Sequence, residues 1–406
     1  MLFEGYMSAL TELFNDVYPR RGMLGDLIVE KVGARTQLAL DFPDRYQVNE
    51  DEQLLINSYL DLEKDKVETR VRFLPISGVV RMGRTQAIFA GLGNDLKSGE
   101  LMRGPGWAWN TLTGQPLSDD TSDQMIMGRL LGRTLGCNSD PTPNYHDDHG
   151  YYKREIRPFS CPKKSAQLTV NTLNGQVNSL NSQISGFTDM AFRDVDNKFI
   201  GMSLDLAQSL LDTKNVAYFT LKLSKDVDQA EFASSFREAM SKQGLDLEVG
   251  SWKAHEFGKL YRQLVSFLEI FQNFLMAVVC FVALLSVGNT VAKNINERAR
   301  EIGTLRSCGF LNWQVAVLFA TESVFLAIVS MLTGLIVLGS LIFTVNSLKI
   351  TYLPGLMSEQ VPFRLNFDVN FCLFVALSLS SATFLSAFFP ALRAAKKPIP
   401  ELLTST

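Results

Sequence analysis

The sequence predicts a membrane protein with two parts: an α-helical transmembrane bundle and a large mixed α/β domain outside the lipid. Three observations carry this. Residues 267–291, 315–345 and 371–385 form apolar stretches on the scale of a bilayer crossing, the third extending toward Pro390. Hydrophobic residues make up 46% of the chain, yet its mean hydropathy is only +0.07, so a large polar part dilutes the apolar one. A short, highly charged segment, residues 294–309, separates the first two apolar stretches and places both of its ends on one face of a bilayer.

The chain has 406 residues, enough for two or three structural units. A net charge of −3 without a clustered basic surface argues against a nucleic-acid binder. The five cysteines divide by region. Cys137 and Cys161 fall in the polar half, Cys280 and Cys372 in apolar stretches, and Cys308 in the charged segment. That split fits one oxidising and one reducing side.

Residues 1–18 lack a basic start and a long apolar core, so they are not a secretory signal. Leu2, Tyr6, Leu10 and Phe14 stand four apart, as on one helix face. From about Gly22 to Gly258 the composition is that of a mixed α/β domain. Residues 26–30, 67–73, 77–82 and 85–90 read as strands, as do 165–174, 182–187 and 216–223. Residues 124–136 read as a strand leading into a helix that ends at glycine. Residues 203–211 and 229–242 read as helices.

Residues 138–164 interrupt this pattern with Pro, Asn, Asp and Tyr and read as a surface loop. Cys137 and Cys161 stand at its ends, and the favoured expectation is a disulfide closing it, which stabilises by about 3 kcal/mol. A rival reading takes His146 and His149 with the two cysteines as a zinc set, although the spacing matches no established zinc pattern. Free thiols and solvated histidines are the third. The run Gly91-Leu-Gly-Asn-Asp-Leu-Lys-Ser98 resembles a phosphate-binding loop, but Leu96 stands where its second glycine is needed. His255 has no partner that sequence identifies, and no nucleophile-elbow motif is present. No catalytic residue and no directly bound cofactor are expected.

Leu260, Leu264, Phe267, Leu268, Phe271 and Phe274 recur at three and four and form a stalk helix running into the first span. Ser286, Gly288 and Asn289, then Ser330 with Gly334, then Ser378, Ala382 and Ser386 offer small surfaces for close helix packing. Glu322 lies early in the second span, where an ionisable residue is costly and a functional candidate. About three helical turns separate it from Asn312, so a polar contact near the charged segment is preferred over a proton relay. Arg and Lys in the charged segment and in the tail (Arg393, Lys396, Lys397) place both on the cytoplasmic face.

Within the charged segment, Ile295, Ala299, Ile302 and Leu305 make one apolar helical stripe. Arg298 and Glu301 are spaced to pair, and Gly309 is a helix stop. Gly303 costs about 1 kcal/mol relative to alanine inside a helix, and its missing side chain would let another backbone approach. The bare physics leaves a solvated connector as open as a docking helix. The run Glu297-Arg-Ala-Arg-Glu-Ile-Gly-Thr-Leu-Arg306 followed by Gly309 closely resembles the coupling-helix signature of the FtsX/MacB/LolC-LolE class of ABC transporter permeases. The segment Met127-Gly-Arg-Leu-Leu-Gly-Arg-Thr-Leu-Gly136 is similar to part of MacB-type periplasmic domains. The tail Pro390-Ala-Leu-Arg-Ala-Ala395 is similar to the family's C-terminus, but Pro400 directly precedes Glu401 and Leu402 stands where alanine is usual.

The resemblance implies a multi-pass permease of a bacterial inner membrane with a large periplasmic MacB-like domain. It implies a partner ATPase subunit that binds ATP and Mg²⁺, and a second permease copy or paralogue. Glu297, Arg298, Arg300, Glu301, Ile302, Gly303, Leu305 and Arg306 are the expected ATPase contacts. A periplasmic adaptor, a lipoprotein or a hydrolase is a further expected partner, and nucleic acid is not. The expected role is lipoprotein or lipid extraction or periplasmic export. The alternatives are signalling to a periplasmic cell-wall hydrolase, and a membrane-anchored ligand or metal receptor. The family's first transmembrane helix has no counterpart here, so a fourth span is expected ahead of Met1. The expected division is a periplasmic domain with stalk helices at 1–262, spans at 263–292, 313–346 and 370–390, a cytoplasmic coupling loop at 293–312, a periplasmic loop at 347–369 and a cytoplasmic tail at 391–406.

Overall fold

The computed structural model describes residues 2–104, 113–117, 123–138, 158–190, 192–353, 355 and 361–398. Two compact units emerge. One comprises Met1–Glu12, Gln263–Ile350 and Phe363–Thr406, and the other Leu13–Arg262 with Thr351–Pro362. The first part of the N-terminal helix α1 (Leu2–Asp16) therefore groups with the apolar helices and not with the α/β domain expected over 1–262. Its contacts explain why. Tyr6 stacks on Phe363 at 5.3 Å, Phe3 meets Phe271 edge-on at 5.8 Å, and the Asn366 N–H donates to the Gly5 carbonyl at 2.9 Å.

The α/β unit is built on one ten-stranded sheet. Its strands are β1 (Leu27–Lys31), β2 (Val67–Met82), β3 (Thr85–Asn94), β4 (Thr113–Gly114), β5 (Gln124–Gly128), β6 (Ser165–Asn171), β7 (Val177–Thr188), β8 (Phe199–Ser203), β9 (Tyr218–Leu223) and β10 (Leu247–Ser251). They run in the order β10-β1-β9-β2-β3-β8-β5-β7-β4, and β6 bridges β2 and β7. A separate strand pair, β11 (Thr351–Tyr352) with β12 (Val361–Pro362), belongs to the same unit. Between strands lie α2 (Gln37–Asp41), α3 (Pro43–Tyr46), α4 (Glu50–Leu62), α5 (Leu96–Arg103), α6 (Arg129–Thr134), α7 (Arg193–Asp196), α8 (Leu204–Leu211) and α9 (Gln229–Ser241). Side chains such as Phe89, Phe187, Phe219 and Phe236, none of them solvent-exposed, fill one continuous core.

Residues 67–73 and 77–82 were expected as two strands, yet they form the single strand β2. Pro75 sits where β2 changes partner on one side, from β9 (up to Phe73) to β6 (from Gly78), so no ladder bond from its nitrogen is lost there. The glycines of residues 127–136 also gain a reason. A Cβ at Gly128 would collide with the Asp196 carbonyl, and one at Gly132 with the Phe187 ring. Gly136 takes φ +87°, which L side chains rarely adopt.

Asp196 closes this corner. Its carboxylate accepts from the Arg129, Leu130 and Met190 N–H groups at 3.2, 2.7 and 3.1 Å. Burial, reinforced by the negative charge of Asp189, pushes its pKa up to about 6. A raised carboxyl pKa means that the folded chain holds the proton more tightly than the unfolded one. The stability it contributes is full below pH 4 and falls, by up to about 3 kcal/mol, as pH rises to 6. Asp196→Asn should therefore gain stability relative to wild type between pH 4 and pH 7, whatever its constant cost in lost acceptors. Urea unfolding of both chains across that range checks it, and a parallel pair of pH curves contradicts it.

The other unit holds α10 (Lys259–Glu297), α11 (Ala299–Ser307), α12 (Asn312–Ser347) and α13 (Val369–Ala395). α10, α12 and α13 are long and apolar enough to cross a membrane. At 39 residues α10 is about 58 Å long. α13 continues through Pro390 to Ala395, and Ala391, Ala394 and Ala395 are buried.

Candidate functional site

The charged segment folds as its stripe dictates. α10 ends at Glu297, the backbone leaves the helical region at Arg298, and α11 begins at Ala299. α11 stops at Ser307, and Gly309 follows with φ +92°. Ile295 and Ile302 are buried in a cluster with Val315, Phe319, Ala387 and Ala391, with Ala299 and Leu305 packed at its edge. α11 is thus anchored by its apolar side to the ends of α10, α12 and α13.

Arg298 holds the break between α10 and α11. Its guanidinium donates to Glu301 at 2.8 and 2.7 Å and to both Glu322 oxygens at 2.9 and 2.8 Å, and it lies 4.8 Å from the centre of the Phe319 ring. Hydrogen bonds to Glu301, then Glu322, lift its pKa above the ordinary value. Glu322 thereby receives the polar contact preferred from sequence.

This geometry sorts the expected contact residues. Glu297, Arg300 and Glu301 are exposed, Leu305 and Arg306 are half-buried, and Ile302 and Gly303 are buried. Ile302 therefore packs against the chain's own helices, Gly303 is buried next to it, and Arg298 is committed to intramolecular pairing. Thr304, absent from the expected set, is exposed beside Arg300 and Glu301. Its position one turn on from Arg300 is a signal that helical spacing alone could have supplied.

The small-residue surfaces are only partly brought together. Ser286, Asn294, Ser330, Gly334, Ser378 and Ala382 line one groove of about 590 Å³ between α10, α12 and α13. A Cβ at Gly288 or Gly334 would meet nothing within 4 Å, so neither glycine makes a close helix contact within this chain.

In the α/β unit, Cys137 and Cys161 form the expected disulfide, with Cα atoms 4.2 Å apart. His146 and His149 lie outside the described residues, and no metal-ligand cluster occurs among the described ones. Gly91 and Gly93 lie inside β3 and form no phosphate loop. His255 has a partner that sequence could not reveal. Its Nε2 is 3.3 Å from Glu30, and its Nδ1 accepts from the Phe257 N–H at 3.3 Å. Arg35 grips the same carboxylate through two bonds of 2.7 and 2.8 Å. Burial alone would raise the Glu30 pKa, but His255 and Arg35 outweigh it and hold the carboxyl below its ordinary value.

Comparison with known proteins places this geometry in context. Residues 273–399 match the family model described as FtsX-like permease C-terminal. An uncharacterised ABC transporter permease of Methanocaldococcus jannaschii is 24% identical over 213 residues, 51% of this chain and 51% of that protein. The chain thus spans about half the length of the curated relative it matches. Among solved structures, the periplasmic region of MacB from Actinobacillus actinomycetemcomitans aligns with a TM-score of 0.36 at 11% identity, over 59% of this chain and 95% of that one. The extracellular domain of the noncanonic ABC-type transporter YknZ from Gram-positive bacteria aligns with a TM-score of 0.35 at 9% identity, over 55% and 99%. Residues 273–399 are thus similar to the C-terminal domain of FtsX-like permeases, and about half of the chain is similar to an ABC transporter permease.

Proposed function

We propose that this chain is the permease subunit of an ABC transporter that converts ATP hydrolysis in a separate ATPase subunit into conformational change of its α/β unit. That unit lies on the outer side of a bacterial inner membrane, and the work done is lipid or lipoprotein extraction or export from the periplasm. ATP and Mg²⁺ bind to the partner ATPase. A second copy or a paralogue completes the transmembrane assembly.

The observation that supports this reading is α11. A short helix pinned by Ile302 to the ends of three membrane-length helices, with Arg300, Glu301 and Thr304 exposed on it and Glu297 exposed just ahead of it, suits a groove on a partner. Force applied to such a helix reaches the spans through packed side chains. A solvated connector would need no buried isoleucine. The ATPase can shift the permease between states only by its differential affinity for them, and the exposed charges supply groups for that difference.

Arg300 is the residue to change, because it is exposed and takes no part in the Arg298 network. Affinity purification of Arg300→Glu from solubilised membranes should recover at least about tenfold less ATP-binding subunit than wild type. Recovery of no ATPase with wild type, under conditions that preserve complexes of this class, would overturn the reading.

A further inference from the structure

β2, β3, β6 and β7 form an arm of the α/β unit whose charge is one-sided. Residues 71–94 and 159–188 contain no Asp or Glu, although the whole chain carries more acidic than basic residues. The basic residues concentrate at one end of the arm. Arg81 lies opposite Gln86 and Gln167 in the ladders, Arg84 lies in the β2–β3 turn, and Lys163 and Lys164 precede β6. A Cβ at Gly83 would lie 4.0 Å from the Lys163 side chain, so turn and lysines share one tip. All four cations are exposed, and none has an ion-pair partner among the described residues. The tip is about 40 Å along β2 from Arg70, which pairs with β9.

One face of the arm is closed. Ile76, Val80, Leu168 and Val170 point into the core, where Leu206 and Leu210 of α8 join them. The opposite face is open. Ile88 is 70% exposed and Val177 71%, and Val79 lies directly across from Ile88. Between them stand short amides and hydroxyls such as Gln86, Gln167, Thr169 and Asn181.

We infer that this face and its basic tip dock an acidic surface of a second protein on the same side of the membrane. Charge complementarity sets the sign of the partner. The strands of the arm carry no carboxylate of their own, and its four unpaired cations outnumber the one carboxylate laid against it, Asp123 at Gln183, so the arm attracts an acidic surface. The exposed aliphatic pair and the surrounding amides supply a dry patch and hydrogen bonds. A lipid surface fits less well, because among the described residues the open face exposes no Trp or Phe to insert, and its Leu92 is half-buried. The inference rests on the proposed permease reading only for which compartment holds the partner.

The test places a photo-crosslinking amino acid at Gln86 or Ile88 in the full chain in its own membranes, with Glu238 on α9 as a control position. The expected result is a protein adduct from the arm positions alone, lost when Arg81, Arg84, Lys163 and Lys164 are all changed to Glu. The adducted protein, purified, should bind the full chain at least about tenfold more weakly in that variant and at 500 mM than at 50 mM salt. Arg84→Glu alone, in the turn, should give a partial loss with unchanged thermal unfolding. Adducts only to lipid, no adduct, or an adduct insensitive to charge reversal and salt would overturn the inference. ATPase capture measured on the same samples separates the two claims. Normal capture without an arm partner sinks this inference alone, whereas an arm adduct without any ATPase leaves it standing and sinks the permease reading.

Discussion

Replacing Ile302 by aspartate is expected to detach α11 from the membrane helices. Ile302 is fully buried among Ile295, Val315, Phe319 and Ala391. A carboxylate there would lose its hydration among apolar side chains, a cost of several kcal/mol. Detaching a nine-residue helix is the cheaper response, since so short a helix has little stability of its own. Trypsin should then cut at Arg300 and Arg306 at least about tenfold faster than in wild type, because cleavage follows the population of the open form. Ile302→Val, which removes one methyl, should cost only about 1 kcal/mol and leave the segment protected. The two α11 variants also separate packing from docking. Arg300→Glu should lose the ATPase while the segment stays protected, whereas Ile302→Asp should lose both. Equal proteolysis of wild type and Ile302→Asp would mean that α11 is not held as described.

Removing the disulfide is the second large effect. Cys137 and Cys161 are 24 residues apart in sequence, and closing such a loop stabilises by about 3 kcal/mol in the chain-entropy account. Cys137 is only 5% exposed and Cys161 packs against the same core, so alanine at both positions avoids burying new hydroxyl groups. The double alanine variant should melt about 6–12 °C lower, at the 2–4 °C per kcal/mol usual for a unit of this size. Reductant should lower the wild-type midpoint to that of the variant and leave the variant unchanged. Coincident melting of oxidised wild type and variant would show that the bond does not restrain the native protein.

Several elements were visible in the residues because their signals are local. The stripe Ile295, Ala299, Ile302, Leu305 predicts a helix and names its buried face. Gly309 predicts its end, and the long apolar runs predict the membrane helices. α4 carries a local signal as well: Asn49 and Glu52 form a capping box, with bonds of 2.8 and 2.9 Å between side chains and backbone N–H groups. β8 and β10 were harder. All five residues of β8 are buried, so it shows no alternation to distinguish it from any other short apolar run.

What the sequence determined by itself is the class of this protein. Apolar length, charge asymmetry and helical period specify membrane-length helices, a separate α/β unit and a short helix between spans, and the motif of residues 297–309 carries the resemblance to ABC transporter permeases. Tertiary structure alone decided the role of each charge in that motif. Arg298 and Arg300 are two residues apart and chemically alike. One is bound to Glu322, 24 residues away in α12, and the other is exposed. The same holds for His255 and Glu30, 225 residues apart, and for Asp196 of α7, whose carboxylate accepts from the first N–H groups of α6. Periodicity is a property of neighbours along the chain. A pairing between distant groups depends on how helices and strands pack, and no local pattern records it.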